Sequence, residues 1–494
     1  MTTSYFSGAV LFLTVWIVYA WVKNEVNWMR LRRFGRKNGC EEPKVLKNRL
    51  PGGIERYWGM LKFKKGMDIL EDHVHARYLK MGVGTYRIFN PFHSLVATSD
   101  PENMQAILAT NFTNFELGPS RSQNMFELLG HGIFTADGEA WAHYRQQLKP
   151  QFSRDQISDL EAANHHLQIL YRALPQKSSE EVDLLPLLLR FTMDVSTEFL
   201  FGKSVNSQTT ALQSIDSGND TELQAEEKFV QAMSYSQDYI IFRVRLFKFW
   251  WLARSQKFLD ACQICKDYSA DFVQRALSST SPKPSPFAST PPSPKPSSPK
   301  ANPEEKEKYI LLNALTTQTR NPTELRDQML HLLLAGRDTT AALLAWTLLL
   351  LSRNPTRYTK YRSIILSHFG PLSSSSPLSF TTLKACKPLT HILYETLRLY
   401  PLVPMNSRVA IRDTVLPVGG GSDGKKPIVV RRGERVTYKQ YALNEASFVI
   451  ARFLQKFERI EAVDMSGEDG MLGKKLSLTM SPHEVKVRLF AAGE

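Results

Sequence analysis

The sequence predicts a mainly α-helical protein with a minor β region and one amino-terminal transmembrane helix. Apolar residues recur at three- and four-residue spacing over most of residues 62–277 and again over 309–399, the pattern of amphipathic helices. Short β-like segments flank these helices, and an uncharged apolar segment of bilayer length lies near the amino terminus. The composition, with 43% hydrophobic and 22% charged residues over 494 positions, is that of an ordinary globular protein.

The transmembrane helix is predicted over Tyr5–Val22, an 18-residue segment without a charge. At about 1.5 Å per residue it spans roughly 27 Å, close to the thickness of a bilayer's hydrocarbon core. No positive residue precedes it, whereas nine basic and three acidic residues lie between Lys23 and Arg49. The positive-inside rule therefore predicts a cytosolic body. A cleaved signal peptide is the alternative, but a basic leader and a clear cleavage site are both missing.

The chain is expected to comprise an anchor at 1–23, a basic hinge at 24–61 and one large domain at 62–494. The hinge contains Pro51-Gly52-Gly53, which is a turn signal, and it contributes to the formal net charge of +14. This basic excess directly follows an apolar segment and is not interleaved with aromatic residues on one face. It therefore predicts contact with membrane lipid and no binding of nucleic acid.

The large domain is predicted to be helical, with short β segments near both ends. Helices are expected around Met67–Met81, Gln123–Leu129, Asp155–Leu174, Leu184–Phe201, Tyr309–Phe369, Leu389–Leu399 and Leu443–Phe457. β structure is expected at Thr85–Phe89, Ser94–Thr98, 403–438, Leu476–Leu478 and Val485–Phe490. Residues 281–303 contain nine of the 27 prolines and are predicted to form a solvated surface insertion, with a ligand for a proline-recognition module as the alternative.

Leu332–Leu351 is an apolar helix with an unusual centre. Arg337 and Asp338 would each cost a few kcal/mol in the middle of a bilayer, so a buried core helix is predicted and not a membrane span. Gly336 costs about 1 kcal/mol relative to alanine inside a helix, and the threonines that follow the acid can bond back to the preceding turn. The helix is therefore expected to fit a ligand there, or to be a kinked core helix with its charges at a crevice.

The segment Ala335–Thr340 (AGRDTT) resembles the oxygen-activation motif of cytochrome P450 monooxygenases. The resemblance implies that Gly336 opens a groove beside a haem. It also implies that Asp338 and Thr339 are the catalytic acid and alcohol that relay protons during oxygen activation, a task that needs a dry path for protons.

Further motifs of the same family follow the expected order. Glu395 and Arg398 match the E-x-x-R helix, in which the two side chains form a buried structural ion pair. Trp141 and Arg145 match the helix that binds a haem propionate, a carboxylate that an arginine fork suits. The resemblance also places Arg408 as a propionate ligand and brings Met405 and Asn406 near substrate.

The whole chain is most similar to fungal P450s that hydroxylate alkanes and fatty acids. This resemblance implies a haem-thiolate monooxygenase with haem b, which inserts oxygen into a long apolar small-molecule substrate. It also implies an NADPH-cytochrome P450 reductase as the source of electrons and a location in the endoplasmic reticulum membrane. No metal-ligand set of side chains is predicted from this sequence.

The axial cysteine of the family is missing from this chain. The family's loop, F-x-x-G-x-R-x-C-x-G, supplies the thiolate that binds the iron, but an apparent internal deletion near Lys439 joins its two flanks. The chain has four cysteines, at positions 40, 262, 265 and 386, and none is placed to substitute. Three explanations remain open: a gene model that lost an exon, a true splice variant or decaying gene, and a haem-free protein of P450 shape.

Overall fold

The computed structural model describes residues 29–50, 69–90, 93–152, 160–178, 180–213, 221–279, 309–373, 378–439, 446–463 and 473–491, together with single positions at 15, 18, 19, 22, 25, 26 and 55. Most of the predicted anchor lies outside the described residues. The same holds for Pro51-Gly52-Gly53, for the proline-rich insertion and for residues 440–445 after the junction at Lys439.

The described elements confirm a mainly helical protein with a minor β component. The α-helices are α1 (Ala76–Met81), α2 (Pro101–Gln105), α3 (Pro119–Leu129), α4 (Gly138–Leu148), α5 (Glu161–Arg172), α6 (Leu184–Phe201), α7 (Ser207–Gln213), α8 (Thr221–Arg245), α9 (Gln256–Ser279), α10 (Leu311–Thr316), α11 (Pro322–Ser352), α12 (Pro355–Phe369), α13 (Phe380–Ala385), α14 (Lys387–Leu399) and α15 (Ser447–Lys456). The strands are β1 (Val45–Leu46), β2 (Thr85–Asn90), β3 (His93–Thr98), β4 (Phe115–Glu116), β5 (Glu181–Asp183), β6 (Met405–Ala410), β7 (Thr414–Gly420), β8 (Lys426–Val430), β9 (Arg435–Lys439), β10 (Phe457–Ala462), β11 (Lys474–Leu476), β12 (Met480–Pro482) and β13 (Lys486–Ala491).

The chain forms two compact units, the first from residues 1–118 and 405–440 and the second from 119–404 and 441–494. The first unit contains a six-stranded sheet in the order β1-β2-β3-β9-β6-β4 and the β7–β8 hairpin. β2 and β3 pair antiparallel, and β3 pairs parallel with β9. The inward side chains of the sheet and of the hairpin form the core of this unit, among them Val96, Leu416 and Val436.

Part of the predicted basic hinge is folded onto the first unit. Residues 29–37 are helical, and β1 pairs parallel with β2. Arg87, which is buried on β2, lies 3.0 Å from both Glu42 and Glu434, so the hinge segment and the strand share one buried cation. The sequence did not indicate this pairing, because the partners are distant along the chain.

The second unit is built around α11, as the apolar pattern predicts. Asn321 caps the helix, since its side chain accepts from the backbone N–H groups of Thr323 and Glu324, and Pro322 occupies the first turn. Within the described residues α11 is the one helix long and apolar enough to cross a bilayer, and 67% of its most apolar window is buried in the protein. The prediction of a core helix is therefore confirmed.

Two small sheets complete the second unit, one in the order β10-β13-β5 and the other formed by β11 and β12. β11 and β13 correspond to the predicted tail segments Leu476–Leu478 and Val485–Phe490, with bounds that differ by one or two residues, whereas β5, β10 and β12 were not predicted. The helix predicted over Leu443–Phe457 is observed as α15, which begins at Ser447, and its residues Ile450, Phe453 and Leu454 are fully buried.

Candidate active site

Gly336 provides room for a neighbouring helix. A Cβ at this position would lie 3.0 Å from Ser196 Oγ on α6, closer than ordinary van der Waals contact. The absence of a side chain therefore lets α6 approach α11. The implied role of Gly336, a groove beside a haem, stays a prediction.

Asp338 is a buried acid beside a buried base. Its Oδ1 lies 3.6 Å from Nη1 of Arg337, and Arg337 Nη2 donates to Ser234 Oγ on α8 at 2.9 Å. Burial raises the pKa of Asp338 above its usual value, and the neighbouring Arg337 offsets this only in part. The carboxyl group thus favours its protonated form more strongly than an exposed aspartate does.

Charges at the protein surface also affect the pKa of Asp338. The exposed pair Asp238 and Lys475, with Oδ2 and Nζ 3.6 Å apart, acts on the pKa of Asp338 in opposite directions. Asp238 belongs to α8 and Lys475 to β11. The pKa of the buried acid therefore depends on charged groups outside its own helix as well as on Arg337.

Thr339 bonds back to its own helix, as the sequence predicts. Its Oγ1 donates to the carbonyl oxygen of Ala335 at 2.6 Å. Such a bond competes with the backbone hydrogen bond for the same carbonyl oxygen, yet α11 is continuous through this turn. The acid and the alcohol therefore have different surroundings. The pKa of Asp338 depends on a charge on α8, whereas the hydroxyl group of Thr339 bonds to the preceding turn of α11.

Trp141 and Arg145 lie one turn apart on α4. The Arg145 guanidinium carbon lies 5.4 Å from the centre of the Trp141 ring, and Arg145 is exposed. This cation–π contact keeps both side chains on one helix face. A cation and an indole N–H on one face suit the role of carboxylate binding that the resemblance implies.

Glu324 was missed in the sequence and holds α4 against α11. Its Oε1 accepts from His143 Nε2 at 2.8 Å and from Gln147 Nε2 at 2.9 Å, both on α4. Its other oxygen accepts from Thr319 Oγ1 at 3.0 Å. An acid in the first turn of α11 was visible in the sequence, but its partners became apparent only from the packing of the two helices.

Glu395 and Arg398 form the predicted ion pair, with two hydrogen bonds of 2.7 and 2.8 Å. The pair is not buried, since the exposed side-chain fractions are 48% and 61%. The expectation of a buried pair is therefore wrong for this chain. The physical reason is that three-residue spacing on a helix brings the two side chains together but does not determine whether the rest of the chain covers them.

Met405, Asn406 and Arg408 lie on β6 in the first unit. Arg408 Nη1 donates to the Ser407 carbonyl oxygen at 3.0 Å and approaches Asn406 Oδ1 at 3.4 Å. Met405 and Asn406 pair in register with Lys439 and Tyr438 of β9. The roles predicted for these three residues remain predictions.

Comparison with known proteins identifies the family. A family model described as Cytochrome P450 matches residues 50–419. Cytochrome P450 monooxygenase g430 of Fusarium sp is 38% identical over 527 residues, which cover 96% of this chain and 89% of the relative. Cytochrome P450 52A3-A of Candida maltosa is 35% identical and covers 92% of each chain. Cytochrome P450 52A7 of Candida tropicalis is 36% identical over 90% of this chain and 84% of its own length.

The chain belongs to the cytochrome P450 family. The relatives are named as cytochromes P450, and the Fusarium protein is named as a P450 monooxygenase. Membership of this P450 monooxygenase family implies a haem cofactor, an electron-donating redox partner and an apolar substrate. The 527-residue alignment is longer than the 494-residue chain, so the Fusarium P450 has residues that this P450 lacks.

The thiols of this P450 do not fit a haem-thiolate centre. Cys262 and Cys265 lie on α9 within the buried apolar core, with 2% and 0% of their surface exposed, so neither thiol is open to a haem iron. Cys386 is buried between α13 and α14, and Cys40 precedes β1 in the first unit.

The sequence between β9 and α15, where the family has its cysteine loop, contains no cysteine in this P450. β9 ends at Lys439, α15 begins at Ser447, and the residues between them include no cysteine. The residues of this chain therefore do not provide the axial ligand that the family's haem requires.

Proposed function

We propose that this chain carries the framework of a membrane-anchored monooxygenase for long apolar substrates such as alkanes or fatty acids, and that the 494-residue form holds no thiolate-ligated haem. The observation that carries the proposal is the order of the motifs. Trp141 and Arg145 on α4, the buried acid Asp338 on α11 and the pair on α14 follow one another as in the family. The substrate class rests on the resemblance to fungal alkane- and fatty-acid-hydroxylating P450s.

The residues of the framework have distinct proposed tasks. Asp338 holds a proton in a buried site, and Thr339 provides the neighbouring hydroxyl group. Trp141 and Arg145 are suited to a carboxylate such as a haem propionate, and Arg408 would do the same from β6. Glu395 and Arg398 hold the conformation of α14, while Met405 and Asn406 contact substrate. None of these residues supplies the missing iron ligand.

Membrane attachment belongs to the same proposal. The uncharged segment Tyr5–Val22 and the basic residues that follow it support a single anchor with the body in the cytosol. We place the protein in the endoplasmic reticulum membrane, where an NADPH-cytochrome P450 reductase would supply electrons. The domain bounds at 1–23, 24–61 and 62–494 are part of this proposal.

A lost segment near Lys439 explains the missing cysteine. The match to the family model ends at residue 419, ahead of β9 and α15, and the Fusarium alignment requires additional residues in the relative. Translating the genomic DNA between the codons for Tyr438 and Tyr441 in all frames tests whether the gene still encodes a cysteine loop. Finding none would favour a decaying gene or a haem-free protein.

Restoring the segment tests the proposed activity. A chimaera that carries the corresponding segment of the Fusarium P450 between Lys439 and Gln440 is expected to bind haem and to hydroxylate a long alkane or fatty acid when a reductase is supplied. The matched control replaces the cysteine of the inserted segment with serine and should be inactive. A haem-loaded chimaera that oxidises neither substrate class would overturn the proposed function.

A further inference from the structure

One face of α8 carries the polar side chains that meet the centre of α11. Ser234, Gln237 and Asp238 are three and four positions apart, so their side chains lie on the same side of the helix. Ser234 Oγ accepts from Nη2 of Arg337 at 2.9 Å, which turns this face toward α11. Asp238 extends the face to β11, since its Oδ2 lies 3.6 Å from Nζ of Lys475. Gln237 therefore lies between a contact with α11 and a contact with β11.

Gln237 is a buried amide with an unused donor. Its exposed fraction is only 5%. The amide nitrogen Nε2 is buried and has no hydrogen-bond partner among the described residues. Leaving a buried N–H group without an acceptor destabilises the folded state, and an apolar side chain of the same size would avoid that cost. The position therefore calls for an acceptor close to Nε2.

Asp338 offers such an acceptor from the facing helix. Its Oδ1 lies 3.6 Å from Nη1 of Arg337, whereas its Oδ2 is buried and has no hydrogen-bond partner in the part of the chain that the structure describes. The Gln237 amide is near enough to lower the pKa of Asp338, although burial outweighs this effect. The unused donor on α8 and the unused acceptor on α11 thus belong to neighbouring side chains.

The charged groups that act on Asp338 leave this oxygen to Gln237. They are Arg337 on the same helix, Asp238 on α8 and Lys475 on β11. Neither cation donates a hydrogen bond to Oδ2 in the described structure, and the effects of Asp238 and Lys475 on the acid oppose each other. A glutamine amide is neutral and does not titrate, so it acts through a directional bond alone.

We propose that Gln237 is the positioning residue of Asp338, whose Oδ2 accepts from the Gln237 amide when the carboxyl group is ionised, while Arg337 remains beside Oδ1. Ionisation favours the bond, because a carboxylate is a stronger acceptor than a carboxylic acid. Donors at both oxygens then hold the plane of the carboxylate in one orientation. The inference rests on the proposed function in that Asp338 is the acid that holds a proton.

An infrared pH titration of the purified 494-residue chain tests this inference without any haem chemistry. The carbonyl stretching band of a protonated, buried carboxylic acid reports Asp338, and the difference from Asp338→Asn assigns the band. We expect Gln237→Met to raise the midpoint at which this band disappears by about one to two pH units, the range of one charge-assisted hydrogen bond. Methionine keeps the length of the side chain and removes the donor.

Gln231→Met is the matched control. Gln231 lies on the same helix, is exposed and donates to Glu227 Oε1 at 3.0 Å. Its substitution should leave the midpoint of Asp338 where it is in the wild type. Gln237→Leu, which also removes the donor, provides the same test if Gln237→Met does not fold.

A merely structural role of Gln237 predicts a different result. Gln237→Met would then change the melting temperature by the same amount at every pH and leave the midpoint of Asp338 unchanged. That result would overturn the inference and leave the proposed task of Asp338 intact. If Asp338→Asn removes no protonated-acid band at any pH, Asp338 holds no proton, and both the proposed task and the inference are overturned.

Discussion

At the scale of single residues, Gly336 shows which part of a close approach can be predicted from the sequence and which part depends on packing. A glycine inside the central helix indicated that something fits against the backbone there, and the structure places Ser196 Oγ 3.0 Å from the position of the missing Cβ. The sequence showed that something must approach the backbone there. It could not show that the approaching group belongs to α6, because that depends on how two distant helices pack.

Substituting Gly336 tests this packing through a double-mutant cycle. Gly336→Ala gains about 1 kcal/mol of helix propensity, but overpacking against Ser196 costs about 1–3 kcal/mol. With Ser196→Ala in the background the nearest remaining atom, the residue's Cβ, is 3.8 Å away, so the propensity gain should appear in full. Denaturant unfolding of the four proteins measures the coupling. Equal effects of Gly336→Ala in both backgrounds would show that Ser196 does not limit the site.

At the scale of elements, the contact between α4 and α11 depends on Glu324. Burial alone would raise the pKa of Glu324, but hydrogen bonds from His143, Gln147 and Thr319 outweigh it and hold the pKa below its usual value. The folded state therefore binds the proton at Glu324 less readily than the unfolded state does. The resulting stabilisation is present above the ordinary pKa of a glutamate and is lost as the pH falls through the lowered value.

Glu324→Gln should remove that pH dependence. We expect the variant to be less stable than the wild type at neutral pH, by about 1 kcal/mol after allowance for partial exposure, and the difference to shrink as the pH falls below about 4. Urea unfolding between pH 3 and 7 provides the measurement. Glu139→Gln, at an exposed position on α4, is the matched control and should follow the wild type. A pH-independent difference for Glu324→Gln would contradict the account.

The helix α14 separates what local spacing determines from what long-range packing determines. The E-x-x-R spacing predicted that Glu395 and Arg398 meet on one face, and they do. Their exposure could not be read from the spacing, because local geometry fixes the pair and long-range packing fixes its burial. An exposed pair of this kind adds little to stability.

At the scale of the whole molecule, the sequence predicted the fold class and most of the elements because hydrophobic periodicity is a local signal. The core helix α11 is the clearest example. The pairing of β1 with β2 and the contact of Glu324 with α4 were not predicted, because each joins residues far apart in sequence. The absence of the cysteine loop, in contrast, was visible in the sequence and agrees with the short connection from β9 to α15.

The central claim is that this chain has the framework of a cytochrome P450 and lacks the thiolate that binds its iron. The carbon monoxide difference spectrum of the purified, reduced 494-residue protein tests this most directly, after expression with added haem. We predict no absorption band of thiolate-ligated haem, even when unspecific haem binding is present. The appearance of that band at a stoichiometry near one haem per chain would contradict the account, because one of the four existing cysteines would then have to bind the iron.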